Sequence, residues 1–238
     1  MGLLDKLRRR RPPPPEEQDE PSAAATPEQL HALFGRPDGT AIVDDGRSLT
    51  LEQLKVGELA FPTGRVAFCD PLVGDGSLFV TVPPNAAGRA SALAVRLAPD
   101  HVRVAALALE LDPSPVSAWR MHVPEGVTIE PGSIYGFGVD AGVACFADPT
   151  AIEALHARQA AYYDQPGPLS GPEPVVDDMY GGEQALDVLL YEAEPGLRLA
   201  ISQSGWGDGL YATYLGTDAE GRLVRLMISF DLLSADHR

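Results

Sequence analysis

Five aspartates in this chain follow an apolar run or lie inside a glycine turn, where a carboxylate can reach a neighbouring loop. They lie in the segments Asp70-Pro71, Asp140-Ala141-Gly142, Asp148-Pro149, Gly207-Asp208-Gly209 and Phe230-Asp231. If the fold brought three or four of these carboxylates together, their oxygens could hold Mg²⁺ or Ca²⁺. A water activated by that metal would then support hydrolysis of a phosphoester or a similar bond.

Asp208 is the strongest single candidate, because the segment Ser204–Tyr211 around it also holds three alternating glycines, a tryptophan and a tyrosine. Glycines permit a left-handed backbone and let a partner approach the main chain. An aromatic side chain among them is suited to anchor a partner. The catalytic candidates are Asp208, Asp70, Asp140 and Asp231, and the metal candidates are Asp208, Asp70 and Asp140. The candidates for ligand or partner binding are Trp206, Gly207, Asp208, Gly209 and Tyr211.

Each aspartate also has a purely structural interpretation. Aspartate before proline or beside glycine caps turns through its own carboxylate. Asp148 in particular precedes Pro149 and is a good helix N-cap. The glycines around Asp208 are equally typical of a bend that leads into a hairpin. Convergence of Asp208 with Asp70, Asp140 or Asp231 in space would separate the two interpretations.

The common catalytic and nucleotide-binding motifs are absent from the sequence. It contains no G-x-x-x-x-G-K-[ST], H-E-x-x-H or G-x-S-x-G pattern and no EF-hand loop, and its five histidines are scattered. We therefore favour a non-catalytic binding or interaction protein and leave the question of an enzyme open. A metal-dependent hydrolase is the alternative. No cofactor is predicted, and Mg²⁺ or Ca²⁺ enters only if the aspartates converge.

The charge balance indicates which partners the chain can attract. Its net charge is −16, although residues 1–11 carry five basic residues against one aspartate, so residues 12–238 carry −20. A folded body this acidic repels the phosphates of nucleic acid. It suits a basic protein partner, for example a basic toxin bound by an immunity protein. The basic arm 1–11 is a weaker candidate for contact with a membrane surface or nucleic acid.

Several features predict a cytoplasmic protein. The two cysteines do not form a disulfide framework or a C-x-x-C pair, which is typical of a reducing compartment. No apolar run approaches the roughly 20 residues of a membrane-spanning helix. The basic N-terminal residues are not followed by the apolar stretch of a secretory signal.

Periodicity and turn residues predict a β-rich α+β fold. Residues 1–25, with Pro12–Pro15 and an acidic run, are predicted to be a disordered tail, and residues 26–238 a single globular domain. Thr26–Gln29 is a capping box that predicts a short helix. Asp148 and Pro149 predict a longer helix over 149–163, followed by an exposed loop over 164–182. Short strands in the rest predict mostly antiparallel sheets, either two packed sheets or one strongly bent sheet.

An internal echo is present within this strand-rich region. The segment from Gly64 to Pro71 reads GRVAFCDP, and the segment from Gly142 to Pro149 reads GVACFADP. The echo favours two structurally similar units, and chance similarity explains eight residues as readily.

The same segments carry a family resemblance. They are Phe61–Pro71, Val139–Gly142 with Cys145–Asp148, and Ser204–Tyr211 with Phe230-Asp231. In this order the chain resembles, over residues 50–231, the bacterial family designated domain of unknown function 4241. The family has Tyr-Pro after its Gly-Asp-Gly element, whereas Ala212 stands in that place here, which we expect to affect strand entry more than function. The resemblance implies a bacterial, cytosolic, stand-alone domain and supplies no activity or catalytic residues.

Overall fold

The computed structural model describes residues 23–73, 77–181 and 187–237. The predicted tail over residues 1–25 lies mostly outside these ranges. Three of its residues, Ala23 to Ala25, lie inside them. Ala24 forms an isolated β-bridge with Ser234, and the amide of Ala25 donates to the carbonyl of Leu233 at 2.8 Å. The start of the described chain is therefore held against residues 233–235.

Three helices and thirteen strands make up the described chain. The helices are α1 (Pro27–Phe34), α2 (Pro149–Tyr163) and α3 (Val176–Tyr180). The strands are β1 (Ala41–Asp44), β2 (Arg47–Phe61), β3 (Arg65–Cys69), β4 (Leu78–Thr81), β5 (Ala86–Ala98), β6 (His101–Glu110), β7 (Ala118–Met121), β8 (Gly136–Val139), β9 (Val143–Ala147), β10 (Val188–Glu194), β11 (Leu197–Gln203), β12 (Gly209–Thr217) and β13 (Leu223–Ser229). No helix in the described ranges is long and apolar enough to cross a membrane.

The strands form two sheets, and every pairing between strands in the described ranges is antiparallel. The larger sheet has the order β1-β2-β5-β6-β13-β12-β7, with β8 also paired to β12. The smaller sheet has the order β10-β11-β9-β3-β4. This arrangement confirms the β-rich α+β prediction and selects two packed sheets over one bent sheet.

The two sheets pack face to face, and each helix covers an outer face. The core between the sheets contains residues from both, including Phe61, Phe68, Leu107, Phe146 and Phe230, which are 0–1% exposed. A second cluster joins α2 to the smaller sheet, and a third joins α1 to the larger sheet. Because side chains alternate along a strand, both faces of each sheet are buried and the layers stack as helix, sheet, sheet and helix.

The capping residues position the two longer helices as predicted. Thr26 accepts from the amide of Gln29, and the Gln29 side chain accepts from the amide of Thr26 at 2.8 Å. Asp148 accepts from the amide of Thr150 at 3.0 Å and begins α2. The predicted exposed loop over 164–182 is wrong at α3, whose residue Met179 is fully buried against the smaller sheet's outer face.

The two segments of the internal echo are neighbours in the smaller sheet. They form β3 and β9, in which Phe68 lies opposite Phe146. These two phenylalanines are also equivalent positions of the echo, so an approximate two-fold axis passes between them. Each strand follows a left-handed glycine, Gly64 with φ 71° and Gly142 with φ 69°.

Candidate functional site

The turn between β11 and β12 is held by hydrogen bonds among its own residues. The amide of Ser204 donates to the carbonyl of Gly142 at 3.0 Å, and the Ser204 hydroxyl donates to the carbonyl of Gly207 at 2.9 Å. The Tyr211 hydroxyl lies 2.8 Å from the Gly207 carbonyl oxygen and 3.0 Å from that of Ser204. Burial, followed by the negative charge of Asp231, raises the pKa of Tyr211. Tyr211 is thus a buried residue that supports the turn.

Gly205 is required in this turn because the backbone of Phe230 lies directly against it. Its φ is 53°, and a Cβ atom at this position would lie 2.9 Å from the Phe230 carbonyl oxygen. Any other residue would have to combine a left-handed backbone with a steric clash. Trp206 and Asp208 follow on the exposed side of the turn, and 58% of Trp206 is accessible to solvent.

The second turn of the site follows β8 and is positioned by Asp70. One carboxylate oxygen of Asp70 accepts from the amides of Asp140 at 3.0 Å and Ala141 at 2.7 Å, and the other accepts from the amide of Leu72 at 2.9 Å. Asp70 is only 3% exposed. Its carboxylate is therefore committed to the backbone, and it holds Asp140 at the surface without facing solvent itself.

Asp140 and Asp208 line one pocket between the two turns. The pocket has a volume of about 360 Å³. Its polar side chains are Arg103, Asp140, Tyr180, Gln203, Ser204 and Asp208, and the backbones of Ala141, Gly142, Gly205 and Gly207 complete it. Both carboxylates are exposed, as expected for groups that meet a partner from solvent.

Tyr180 is an exposed aromatic residue that lines this pocket. The Tyr180 hydroxyl donates to the Ala141 carbonyl at 2.9 Å, while 43% of the residue remains exposed. Burial raises the pKa of Tyr180, and the negative charges of Asp70 and Asp208 raise it further. Tyr180 and Asp208 line the same pocket.

Arg103 supplies a positive charge beside the two carboxylates. Its guanidinium carbon lies 5.7 Å from the centre of the Trp206 ring, within the range of a cation–π contact. Its Nε donates to Nε2 of His101 at 2.9 Å, and the His101 ring lies 6.2 Å from the Trp206 ring. These contacts hold the Trp206 ring against Arg103, which itself lines the pocket.

The other two of the five aspartates, Asp148 and Asp231, are not among the residues that line the pocket. Asp231 has φ 50° and accepts from the Ser229 hydroxyl at 3.0 Å. Its side chain reaches solvent, but dense packing around it raises its pKa, with the Ser229 hydrogen bond acting in the opposite direction. Asp148 accepts from both Thr150 and Thr63. Of the four catalytic candidates, the fold therefore brings together only Asp140 and Asp208 as exposed groups.

The metal candidates Asp70, Asp140 and Asp208 do not form a ligand set. Across residues 23–73, 77–181 and 187–237, no group of three or more His, Cys, Asp or Glu side chains is arranged to hold a metal ion. The physical reason is that Asp70 directs both carboxylate oxygens at backbone amides. A bound Mg²⁺ or Ca²⁺ was expected only if the candidate aspartates converged in space. These three carboxylates do not all converge.

Two residues of the site were missed by the sequence analysis. Arg103 lies between Val102 and Val104 in an alternating strand pattern, which indicates a buried face for the valines and gives no sign that the arginine between them belongs to a site. Tyr180 lies in the stretch interpreted as an exposed loop. The adjacent apolar pair Met179-Tyr180 was a usable signal, because a long polar loop seldom carries two large apolar side chains together.

Comparison with known proteins gives the chain a family and no activity. No curated protein and no solved structure matched it significantly. The family described as "Protein of unknown function (DUF4241)" matches residues 59–228, a span that contains β3, β9 and both turns of the pocket. The chain therefore belongs to the DUF4241 family.

Proposed function

We propose that this chain is a non-catalytic binding protein whose pocket receives a basic side chain of a protein partner. The observation that carries the proposal is that the exposed residues Asp140 and Asp208 line one pocket together with Tyr180. The exposed ring of Trp206 lies next to this pocket, in contact with Arg103. Carboxylates form strong charge-assisted hydrogen bonds with arginine or lysine, and aromatic faces attract the same cations.

The sequence segment that contains Tyr180 is strongly acidic, which supports a basic partner. Residues 159–197 contain eight acidic residues and no lysine, arginine or histidine. Helix α3 belongs to this segment and presents Asp177 and Asp178 to solvent next to Tyr180. An acidic field of this extent speeds the approach of a basic partner, and its effect falls as salt is added.

The partner class that we infer is a basic protein, and an immunity protein that neutralises a basic toxin is one form of this function. We place it in the bacterial cytoplasm, in keeping with the composition and the cysteine content. The hydrolase alternative is not proposed, because only two of its three metal candidates share the pocket, whereas Asp70 directs both carboxylate oxygens at backbone amides.

The proposal is tested with an arginine-rich peptide as the basic probe and a glutamine-rich peptide of equal length as the neutral one. In a Trp119→Phe background, Trp206 is the remaining tryptophan, so its emission reports occupation of the pocket. We expect the basic peptide to bind and the neutral one not to bind, with affinity falling as NaCl is raised. Asp140→Asn and Asp208→Asn should each weaken binding by roughly 2- to 5-fold at low salt, as for other partly exposed ion pairs.

Glu194→Gln is the matched control. Glu194 is the exposed last residue of β10 and pairs with Leu197, at the end of β11 that lies opposite the pocket. The variant removes the same charge from the molecule, so it reports the effect of net charge alone. Equal losses for Glu194→Gln and Asp208→Asn, or binding that is indifferent to NaCl, would refute the proposed site.

A further inference from the structure

The two cysteines of the chain meet in the core, although they are 76 residues apart in sequence. Cys69 ends β3 and lies directly opposite Cys145 of β9 in the strand register. Their sulfur atoms are 3.8 Å apart, and the residues are 1% and 0% exposed. The binding function proposed above makes no use of this pair.

The backbone at this position already satisfies the geometry of a disulfide. Residues directly opposite each other in an antiparallel pair have Cα atoms about 4.5 or 5.5 Å apart, depending on their hydrogen-bonding position. Both separations fall within the roughly 4.4–6.8 Å that a disulfide spans. Rotation of the two side chains is therefore sufficient to bring the sulfurs into bonding distance.

We propose that Cys69 and Cys145 are a redox-active pair that hydrogen peroxide converts reversibly into a cross-strand disulfide. A small oxidant is required, because neither sulfur is accessible to a bulky reagent in the folded chain. The inference is independent of the proposed partner binding, and either can fail without the other.

The two thiols are not equivalent, which gives the reaction a direction. The hydrogen bond with Cys145 lowers the pKa of Cys69, although burial acts in the opposite sense. The same contact, together with burial, raises the pKa of Cys145. Since the thiolate is the nucleophile, Cys69 is the sulfur that attacks peroxide and Cys145 is the one that resolves the product.

The reaction balances in two steps. The Cys69 thiolate attacks one peroxide oxygen, the O–O bond breaks, and sulfenic acid forms while the departing hydroxide takes up the thiol proton as water. The Cys145 sulfur then attacks the sulfenic sulfur, the S–O bond breaks, and the hydroxide leaves as a second water with the Cys145 proton. Two thiols and one peroxide thus give one disulfide and two waters.

The test treats the folded full-length chain with a graded series of hydrogen peroxide concentrations. Samples are then unfolded, alkylated and weighed intact, with and without prior reduction. We expect the two alkylatable thiols to disappear together, with a loss of two hydrogen atoms from the chain mass and full recovery after dithiothreitol. Peptide mapping should place the bond between Cys69 and Cys145.

The single-cysteine variants test the order of attack. Cys145→Ser should stop at a Cys69 sulfenic acid, which dimedone traps when the sample is unfolded in its presence, whereas Cys69→Ser should react much more slowly. If either variant fails to fold, mapping of the unmutated chain still decides the matter. Two thiols that survive peroxide in the folded chain, a disulfide between molecules, or oxidation of one cysteine without a crosslink would each overturn the inference.

Discussion

At the scale of single residues, aspartates in similar sequence positions have opposite roles. Asp70 and Asp148 both follow a strand and precede a proline, and both direct their carboxylates into the protein, at amides or hydroxyls of distant turns. Asp140 and Asp208 lie in the turns themselves and face solvent. The first pair builds the site and the second pair is available to a partner.

Asp70→Asn is expected to destabilise the fold, whereas Asp140→Asn is not. The amide of the asparagine cannot accept all three of the backbone hydrogen bonds that Asp70 receives, so at least one buried N–H loses its partner. We expect the free energy of unfolding to fall by about 2 kcal/mol for Asp70→Asn. For exposed Asp140→Asn we expect a change within about 0.5 kcal/mol. Urea denaturation of both variants measures this, and similar values for the two would contradict the role assigned to Asp70.

Asp148 should make stability depend on pH in the acid range. Burial acts to raise its pKa, but the hydrogen bonds from Thr150 and Thr63 outweigh burial and lower the pKa below its ordinary value. A carboxyl with a lowered pKa stabilises the fold above its unfolded pKa of about 3.9, and that contribution is lost as the pH falls through the folded value. Asp148→Asn should therefore cost about 1–3 kcal/mol at neutral pH, and the difference should shrink below about pH 4.

Asp231→Asn provides a control of opposite sign. Because the folded pKa of Asp231 is raised, the ionised carboxylate destabilises the fold above that pKa. At neutral pH the variant should be more stable than the natural chain by less than about 1 kcal/mol, because solvent screens the charge of Asp231. In acid the two proteins should be equally stable. Urea denaturation between pH 3 and 7, in about one-unit steps, compares the three proteins. Parallel pH curves for Asp148→Asn and Asp231→Asn would contradict both assignments.

At the scale of elements, β3 and β9 are each followed by an aspartate that hydrogen-bonds to the turn before the other strand. Asp70 lies just after β3 and binds the turn before β9, while Asp148 lies just after β9 and binds Thr63 in the turn before β3. This reciprocity follows the approximate two-fold relation of the two strands. It also explains why similar sequences recur at the two places.

The pairing of β8 with β12 determines the position of Asp140, and this pairing depends on Gly136. A Cβ atom on Gly136 would lie 2.1 Å from the carbonyl oxygen of Tyr211, whereas a Cβ on Gly138 would meet nothing within 4 Å. We expect Gly136→Ala to lower the free energy of unfolding by more than about 2 kcal/mol, and Gly138→Ala to change it by less than about 0.5 kcal/mol. Thermal unfolding of the two variants is the measurement. A Gly136→Ala protein as stable as Gly138→Ala would show that the strand pairing is wrong.

At the scale of the whole molecule, the excess of acidic groups opposes the compact state. A net charge of −16 distributed over one folded chain produces repulsion that screening relieves. The midpoint of thermal unfolding should therefore rise by a few degrees between about 10 and 150 mM salt, as the Debye length falls from about 30 to 8 Å. NaCl and KCl should act equally, because screening depends on ionic strength. A fall with salt, or a clear difference between the two cations, would contradict this account.

The sequence predicts the features that depend on neighbouring residues, such as helix caps. It does not predict the features that depend on pairing between strands distant in sequence. The helices α1 and α2 were predictable because their caps are local. The 15-residue strand β2 could not be predicted as one strand, because a bulge between Lys55 and Gly57 interrupts the alternation that marks a strand. The pocket could not be predicted, since Asp140 and Asp208 meet only through the pairing of β8 with β12 and the contact of Ser204 with Gly142.

The reciprocal fastening of β3 and β9 also acts as a check on how the two strands pair while the chain folds. A slip of one residue would turn Phe68 and Phe146 away from the core between the sheets. It would also move Asp70 and Asp148 off their amides at the same time, because both contacts depend on one register. A chain with the wrong register thus makes neither set of carboxylate hydrogen bonds, whereas the correct register makes both sets together. Two carboxylates that are 78 residues apart in sequence therefore favour a single register of β3 against β9 over the alternative registers.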